Sequence, residues 1–304
     1  MQEEGRCPVG REYTLGLYEK SMPSCLDWKE KLEAACEAGF DFIEISIDET
    51  DEKLKRLDMS RQERLELICL MEKTGIPIRT LCLSGHRKYP LGSSNPQTRE
   101  KAMEIMEKAI WLAESLGIRI IQLAGYDVYY EESNAQTKEY FLENLKRATE
   151  MAASAGVILG FETMETDFMN TVEKAMKYVS IVSSAYLNVY PDIGNITNAS
   201  REYGTNVLED LQRGKGHLTS MHLKETVPGI FREVPFGTGH VDFEAAIRAA
   251  WELGVRKYVA EFWYTGNPGW REELAAVNRR FKGILDRRAD RNRYRTFADP
   301  DMRA

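Results

Sequence analysis

Residues of the kinds that bind metal ions stand at the ends of four consecutive apolar segments in the second half of the chain. They are Glu162 in GFETME, Asp192 in YPDIGN, His222 in MHLKET and Glu261 in AEFWY. A single acid in such a position is often a helix N-cap or a salt-bridge partner. Three converging carboxylates, however, would leave uncompensated negative charge unless a cation were bound. The set therefore predicts one divalent ion, with Mn²⁺ or Mg²⁺ favoured by the hard oxygen donors and Co²⁺ or Zn²⁺ as alternatives.

An ion of this kind can act as a Lewis acid, and one reaction that would use it together with two glutamates is the inversion of a carbon next to a ketone. The hydrogen on that carbon is weakly acidic, and its removal creates an enediolate whose charge a Lewis acid stabilises. Inversion also needs a base on one face of the intermediate and an acid on the other. We therefore predict that Glu162 and Glu261 form the acid–base pair, in an order set by the epimer that is bound.

The elements that must bring these residues together form a repeated pattern. Short runs rich in Ile, Val, Leu and Phe recur, and each is followed by a longer stretch with helical periodicity, as in βα units. Eight strands are predicted, at residues 14–18, 42–47, 78–84, 118–125, 157–163, 187–193, 218–224 and 257–263. The pattern indicates a single-domain (β/α)8 TIM barrel, in which active sites lie at the carboxyl ends of the strands.

Glycines before five of the strands support the same fold. They occur in EAGFDFIEI, KTGIPIRTL, SLGIRIIQL, SAGVILGFE and ELGVRKYVA. Glycine after the last turn of a helix adopts the left-handed C′ conformation at little cost, so each motif predicts a turn from a helix into a strand. These turns mark one end of the barrel, and the longer polar loops mark the other.

The barrel is predicted over residues 11–286. Residues 1–10 are interpreted as a flexible leader, and residues 287–304 as a charged C-terminal tail. A solvated extension is the simplest interpretation of that tail, with a subunit contact as the alternative. No Gly/Ser or Pro tract divides the chain.

Composition excludes several classes of protein. The formal net charge of −7 is unsuited to a nucleic-acid partner, which needs clustered basic surface. No run of about 18 apolar residues and no signal-peptide pattern is present, so we expect a cytoplasmic protein with no membrane partner. The five cysteines include no C-x-x-C pair and are predicted to be reduced and mostly buried.

Long stretches of the chain resemble the L-ribulose 5-phosphate 3-epimerases, or L-xylulose 5-phosphate 3-epimerases, of bacterial L-ascorbate and pentose catabolism. The resemblance runs from about Thr14 to Asp286. It is most specific in GLYEK, GFDFIEISIDETDEKLKRLDMSR, LCLSGHRKYPLGS, IRIIQLAGYDVYYEE, LNVYPDIGN, HLKETVPGIFREVPFGTG and AEFW. It implies a xylose-isomerase-like barrel that interconverts L-xylulose 5-phosphate and L-ribulose 5-phosphate through a metal-stabilised cis-enediolate.

The same resemblance implies the site residues. The family's metal ligands fall on the Glu, Asp, His and Glu named above, and the two glutamates are the acid–base pair in related ketose 3-epimerases. Relatives that act on free ketoses tend to carry His three residues after the Asp ligand and Arg in the loop after the His ligand. Here Asn195 takes the first place, which argues against the free-ketose branch, and Arg232 is a candidate for the second. The His86 and Arg87 pair favours a phosphorylated substrate. We expect a homo-oligomer, with a dimer favoured.

Basic and polar residues near the predicted strand ends are candidates for binding the ketopentose phosphate. The loop SGHRKYPLGS groups donors suited to a phosphate, with Lys224 and Arg232 as rival or additional contacts. Glu44, on the second strand, is predicted to bind a sugar hydroxyl. The predicted substrate contacts are Glu44, Ser84, His86, Arg87, Lys224 and Arg232.

Other functions compatible with the pattern are enzymes of the same fold: a sugar-phosphate isomerase, a free-ketose 3-epimerase or an inosose dehydratase. An abasic-site endonuclease would need many histidines and a basic face, but the chain has four histidines and a net negative charge. A non-catalytic sugar-binding protein is the alternative of a different class, and the paired glutamates argue against it.

Overall fold

The computed structural model describes the backbone of residues 12–298 and side chains through residue 290. Eight strands alternate with helices along the chain. The strands are β1 (Thr14–Tyr18), β2 (Phe42–Ile47), β3 (Ile78–Leu83), β4 (Ile120–Ala124), β5 (Ile158–Glu162), β6 (Leu187–Tyr190), β7 (Met221–Leu223) and β8 (Lys257–Ala260).

Helices surround this sheet on its outer side. They are α1 (Trp28–Glu37), α2 (Asp51–Lys55), α3 (Arg61–Thr74), α4 (Pro96–Leu116), α5 (Ala135–Ser154), α6 (Val172–Val182), α7 (Ile193–Tyr203), α8 (Val207–Arg213), α9 (Phe243–Glu252) and α10 (Trp270–Ala298). Short 3₁₀ helices follow β1, α2 and β3, at Glu19–Ser21, Arg56–Asp58 and Ser84–Arg87.

All neighbouring strands pair in parallel, in the order β6-β5-β4-β3-β2-β1-β8-β7. The remaining seam, between β6 and β7, is joined by isolated parallel bridges from Val189 to Leu218 and from Asp192 to His222. The sheet is therefore a nearly closed barrel, and the prediction of a single-domain TIM barrel is confirmed.

The strands lie where the sequence predicts them, but several are shorter than predicted. The largest difference is in β7, which contains Met221–Leu223 only, and β4, β6 and β8 are each three residues shorter than predicted, with β6 ending at Tyr190. The chain leaves the extended conformation early after β6 because Asp192 is already the N-cap of α7. Its side chain accepts from the backbone N–H of Asn195 and so begins the helix there.

The glycines that predict helix-to-strand turns all have positive φ. The angles are 83° at Gly39, 71° at Gly75, 74° at Gly117, 65° at Gly156 and 92° at Gly254. Residues with a Cβ rarely adopt this backbone conformation, so the glycine before each of these strands correctly predicts the turn.

The ends of the chain differ from expectation in one respect. Helix α10 continues without a break to Ala298, so the predicted boundary at residue 286 falls inside a helix. The predicted leader, residues 1–10, lies outside the described residues. Across the part of the chain that the structure describes, no helix has the length and apolarity needed to cross a membrane.

The described cysteines are free thiols, but the prediction that most are buried is wrong. Cys82 on β3 is buried, whereas Cys25, Cys36 and Cys69 are exposed. Cys36 and Cys69 lie on α1 and α3, where the helical pattern alternates between faces and both side chains point outward.

Candidate metal and substrate site

The barrel brings the predicted metal ligands to one place. Glu162 is the last residue of β5, Asp192 precedes α7, His222 lies within β7 and Glu261 directly follows β8. One ligand atom from each lies within 4.8 Å of those from the other three, and all four residues are buried. Parallel strands far apart in sequence place their ends around one axis, which explains the convergence.

His222 lies at the centre of the cluster. Its Nδ1 is 2.7 Å from Oε2 of Glu261, 3.4 Å from Oε1 of Glu162 and 3.9 Å from Oδ2 of Asp192. The other ring nitrogen, Nε2, points away from the cluster. Nδ1 is therefore the nitrogen available for a shared ion.

The donor set fits a divalent cation. Three buried carboxylates, those of Glu162, Asp192 and Glu261, converge here, and among the described residues Lys224 is the fixed cation that lies against them. One lysine does not offset three buried carboxylates, and a bound cation would supply the remaining positive charge. Together with Nδ1 of His222, these carboxylates form a compact set suited to Mn²⁺ or Mg²⁺.

Lys224 supplies positive charge beside the same carboxylates. Its Nζ is 2.8 Å from Oδ2 of Asp192 and 4.0 Å from Oε2 of Glu261. Burial opposes the charge on Lys224, but these carboxylates outweigh burial and raise its pKa. Burial raises the pKa of Asp192 to about 7 against the attraction of Lys224. Burial also opposes ionisation of Glu261, but Lys224 and His222 lower its pKa.

Glu44 does not occupy the place predicted for it. Its Oε1 is 2.6 Å from Nε2 of His222, and its Oε2 accepts a hydrogen bond of 2.9 Å from the hydroxyl of Tyr190. The side chain is fully buried behind the imidazole. The predicted contact with a sugar hydroxyl is therefore wrong. A polar residue within a predicted strand does not show which residue of another strand its side chain will contact.

Sequence reasoning missed Gln122, which donates a hydrogen bond from its side-chain amide to Oε2 of Glu162. Gln122 lies on β4 and is fully buried. Its signal is present in the sequence, since a single amide within the apolar run IIQLA needs a buried polar partner. This contact leaves Oε1 of Glu162 as the oxygen facing His222.

A small cavity of about 60 Å³ opens above the cluster at the barrel mouth. Tyr18, Cys82 and Trp263 form part of its wall, together with Glu162 and Glu261. Basic side chains are concentrated in the same wall, and these are Lys20, Arg87, Lys224 and Arg232. The cavity therefore combines an acidic floor with cations suited to an anionic ligand.

Arg87 and Arg232 stand on either side of Glu165 at the mouth. The guanidinium of Arg87 is 3.4 Å from the hydroxyl of Tyr126, which in turn donates to Oε2 of Glu165 at 2.8 Å. Arg232 lies 3.5 Å from Oε1 of Glu165. Arg87 also packs over the ring of Tyr129, at 4.9 Å. Glu165 and Tyr126 were not predicted from the sequence, because acids and aromatics in loops are common.

The neighbouring loop residues divide between the cavity and the protein interior. Ser84 lines the cavity beside Arg87. His86 is buried away from it, with Nε2 3.1 Å from the carbonyl oxygen of Ala102 in α4. Burial lowers the pKa of His86 to about 4, so its ring is neutral near pH 7. The predicted phosphate contact at His86 is wrong, because the 3₁₀ turn directs adjacent side chains to different sides.

Asn195 serves the local backbone. Its side-chain amide donates to the carbonyl oxygen of Thr163 at 2.7 Å, and its own N–H is bound to Asp192. Asn195 is buried and does not line the cavity. It therefore orients the loop that carries the Asp192 ligand.

The loop after β7 carries Phe231 and Arg232 to the cavity and is closed at its base. The carboxylate of Glu225 accepts from the N–H of Gly237 at 2.9 Å and of Val241 at 3.1 Å. These contacts join the two ends of the loop. Within it Glu233 has φ of 60°, a strained conformation for a residue with a Cβ.

Comparisons with known proteins agree with this arrangement. A family model for the xylose isomerase-like TIM barrel matches residues 32–280. The chain is 44% identical over 256 residues to the L-ribulose-5-phosphate 3-epimerase UlaE of Shigella boydii serotype 18, covering 84% of this chain and 89% of that protein. The UlaE of Escherichia coli O157:H7 matches with the same identity and coverage.

Among solved structures, a D-psicose 3-epimerase from Clostridium cellulolyticum H10 superposes with a TM-score of 0.75 at 17% identity, covering 90% of this chain and 99% of that one. At this identity the likeness concerns the fold. The matching family model and the 44% identity to the UlaE proteins show the family as well as the fold. The chain is an isomerase that belongs to the L-ribulose-5-phosphate 3-epimerase family of xylose isomerase-like TIM barrels.

Proposed function

We propose that the protein interconverts L-ribulose 5-phosphate and L-xylulose 5-phosphate by moving a proton at C3. The observation that carries the proposal is the buried cluster of Glu162, Asp192, His222 and Glu261 at the floor of a cavity with basic walls. The names of its 44% identical relatives support the same substrate class.

The cluster is proposed to hold one divalent ion, with Mn²⁺ or Mg²⁺ favoured by its oxygen donors. When bound, the ion would supply Lewis-acid stabilisation of the negative charge that develops on the substrate oxygens beside C3. The carboxylates and His222 hold it, and Lys224 adds a fixed positive charge on the same side of the cavity.

The protein's own contribution to the proton transfer is assigned to the two glutamates. They extend from different strands, β5 and β8, so they approach the substrate carbon from different directions. One carboxylate removes the C3 proton from its face, and the other delivers a proton to the opposite face. Gln122 fixes one oxygen of Glu162, and the charge of Lys224 lowers the pKa of Glu261.

The phosphate is assigned to the mouth of the cavity. A ketopentose 5-phosphate carries its dianion at the end remote from C2 and C3, so a substrate with C3 at the cluster directs its phosphate outward. Arg87 and Arg232 lie at that mouth with Ser84 beside them, whereas Lys224 lies at the floor. Arg87 and Arg232 are therefore the proposed phosphate ligands, and Lys224 is proposed to contact oxygens near the reacting carbon.

The experiment that tests this function is the epimerisation of L-ribulose 5-phosphate in D₂O, followed by NMR. A two-base exchange through solvent-exchangeable carboxylates places deuterium at C3 of the L-xylulose 5-phosphate formed. Product that is protiated at C3 would reject the proton-transfer mechanism. An aldose phosphate with deuterium at C2 as product would identify an aldose–ketose isomerase instead.

A further inference from the structure

We propose that Glu44 is a positioning residue for His222. Its carboxylate lies 2.6 Å from Nε2 of the imidazole and so holds the ring with Nδ1 directed toward the acidic cluster. This inference rests on the proposed metal-dependent function, because it concerns how one ligand of the ion is prepared.

The two nitrogens of His222 meet different surroundings. Nε2 lies 2.6 Å from Oε1 of Glu44, a distance typical of a short, charge-assisted hydrogen bond. Nδ1 faces Glu261 at 2.7 Å and Glu162 at 3.4 Å. A neutral imidazole has one donor and one acceptor nitrogen, and only the acceptor binds a metal ion. With the oxygens of Glu261 engaged by an ion, Glu44 would be the acceptor that remains for the other ring N–H, and Nδ1 would be the ligand atom.

Glu44 is itself held rigidly in this place. The hydroxyl of Tyr190 donates to its second oxygen at 2.9 Å. The ring of Tyr190 also packs edge-on against His222, with ring centroids 4.7 Å apart and an interplanar angle of 61°. Tyr190 thus fixes both the carboxylate and the imidazole that it supports.

The alternation of side chains along β2 places Glu44 inside the barrel. Ile43, Ile45 and Ile47 pack in the core shared with the helices, whereas Phe42 packs in the cluster inside the barrel that contains Tyr190. Glu44 shares the face of Phe42 because side chains two residues apart point the same way. A bulge in β3 lies beside it, since Ile43 pairs with Ile78 and Glu44 pairs with Thr80.

A direct contact with substrate does not explain Glu44. Both of its oxygens are engaged, its exposed fraction is 0%, and it is absent from the cavity wall formed by the described residues. A carboxylate buried in this way needs hydrogen-bond partners, and Nε2 of His222 and the hydroxyl of Tyr190 are those partners. A residue of the second strand thereby controls a ligand 178 positions away in the sequence.

The test measures Mn²⁺ binding to the metal-free full-length chain by calorimetry, for the wild type, Glu44→Gln and Tyr190→Phe. Glutamine keeps the shape of the side chain but removes its charge, and it can also turn its amide toward Nε2. We expect Glu44→Gln to weaken Mn²⁺ binding by about 10- to 100-fold, and Tyr190→Phe to weaken it less. At saturating Mn²⁺, KM for L-ribulose 5-phosphate should stay near the wild-type value.

Asp210→Asn is the matched control, since Asp210 is a partly buried carboxylate that binds the backbone N–H groups of Val172 and Glu173 far from the cluster. It should bind Mn²⁺ like the wild type. Wild-type affinity in Glu44→Gln, or a raised KM with unchanged Mn²⁺ affinity, would overturn the inference. Asp192→Asn separates this failure from that of the proposed function: if the wild type binds no Mn²⁺, or Asp192→Asn binds it equally well, the metal site itself is wrong.

Discussion

The two glutamates of the cluster have the same side chain but different surroundings. Glu162 receives the amide of Gln122, whereas Glu261 lies within reach of Lys224 and His222. Such differences set the protonation states of a catalytic pair apart. We expect Glu162→Gln and Glu261→Gln each to lower kcat by roughly 10²- to 10⁴-fold from lost proton transfer, with further loss where Mn²⁺ binding weakens.

Hydrogen exchange at C3 distinguishes the roles of the pair. With one glutamate neutralised, the other still reaches its own face of the carbon, so one epimer should exchange C3–H with D₂O without being converted. NMR of each epimer with each variant measures this. If both variants retain kcat within about tenfold at saturating Mn²⁺, neither glutamate is the base.

The cavity mouth supports a second prediction at this scale. Arg87→Met should raise KM for L-ribulose 5-phosphate much more than for free L-ribulose, because only the phosphate presents the dianion. His86→Gln is the matched comparison, since the neighbouring ring is neutral and faces Ala102. It should alter both KM values alike. Steady-state kinetics with the two substrates decide this, and equal effects of Arg87→Met on both would remove Arg87 from the phosphate site.

These residues also show what sequence reasoning reaches. The ligand types and their places after apolar strands are visible in the sequence, so their convergence was predictable. The direction of a loop side chain is not, and His86 and Arg87 are adjacent yet face opposite ways. The sequence indicates that Glu44 is functional. Its partner, His222, lies on a strand far away in the sequence, and no local sequence pattern predicts that contact.

At the scale of elements, the strands and the helix-to-strand turns were predictable because apolar runs and left-handed glycines have local causes. The residues at which strands end were harder to predict from the sequence. Asp192 reads as the end of a strand in LNVYPDI, but its carboxylate caps α7, so a helix begins where extended structure was expected. The same residue belongs to the proposed metal site, so one short segment would both cap the helix and hold the ion.

The turn after β1 is held by a buried ionic centre. Glu19 accepts from Lys31 at 2.8 Å, Lys53 at 2.7 Å and Arg56 at 2.6 Å, and also from the N–H of Ser46 at 2.9 Å. Burial opposes its charge, but Arg56 and the two lysines outweigh burial and hold its pKa well below the usual 4.5. This centre joins β1 and β2 to α1 and α2, and it positions Tyr18 and Lys20 in the cavity wall.

An acid-dependent loss of stability follows. Because the folded-state pKa is depressed, Glu19 contributes its full stabilisation above about pH 4.5 and loses it as pH falls toward the folded value. Each pH unit in that window costs about 1.4 kcal/mol. Glu19→Gln should lower the free energy of unfolding near pH 7 by roughly 3–5 kcal/mol, because three cations lose their partner, and should flatten its dependence on pH below 4.5.

Urea unfolding between pH 3 and 7 measures both effects. Glu104→Gln is the control, because the exposed ion pairs of Glu104 with Lys101 and Lys108 contribute little. An unfolding free energy of Glu19→Gln that stays near the wild-type value at pH 7 would contradict the role of Glu19 as an ionic centre.

At the scale of the whole molecule, the barrel has one weak seam. Seven pairs of strands form continuous ladders, whereas β6 and β7 meet through isolated bridges. One of those bridges joins Asp192 to His222, and both residues belong to the proposed metal site. Ligands on both sides of the seam mean that an ion bound there would also hold the barrel closed.

Metal removal should therefore loosen the seam before the rest of the barrel. With Mn²⁺ at about 100 times its dissociation constant, binding adds about 2.7 kcal/mol to the free energy of unfolding, which raises Tm by about 5 °C over the chelated protein.

Hydrogen exchange should locate the change at the N–H groups of Val189, Thr219 and His222, which donate across the seam at 2.8, 3.0 and 2.9 Å. Amides between β3 and β4 provide the internal comparison, since their ladder is continuous. Because Asp192→Asn removes a ligand on one side of the seam, it should abolish the difference between chelated and Mn²⁺-loaded protein. Faster exchange spread evenly over both regions, or a Tm indifferent to Mn²⁺ that demonstrably binds, would mean that the ion serves the chemistry without closing the barrel.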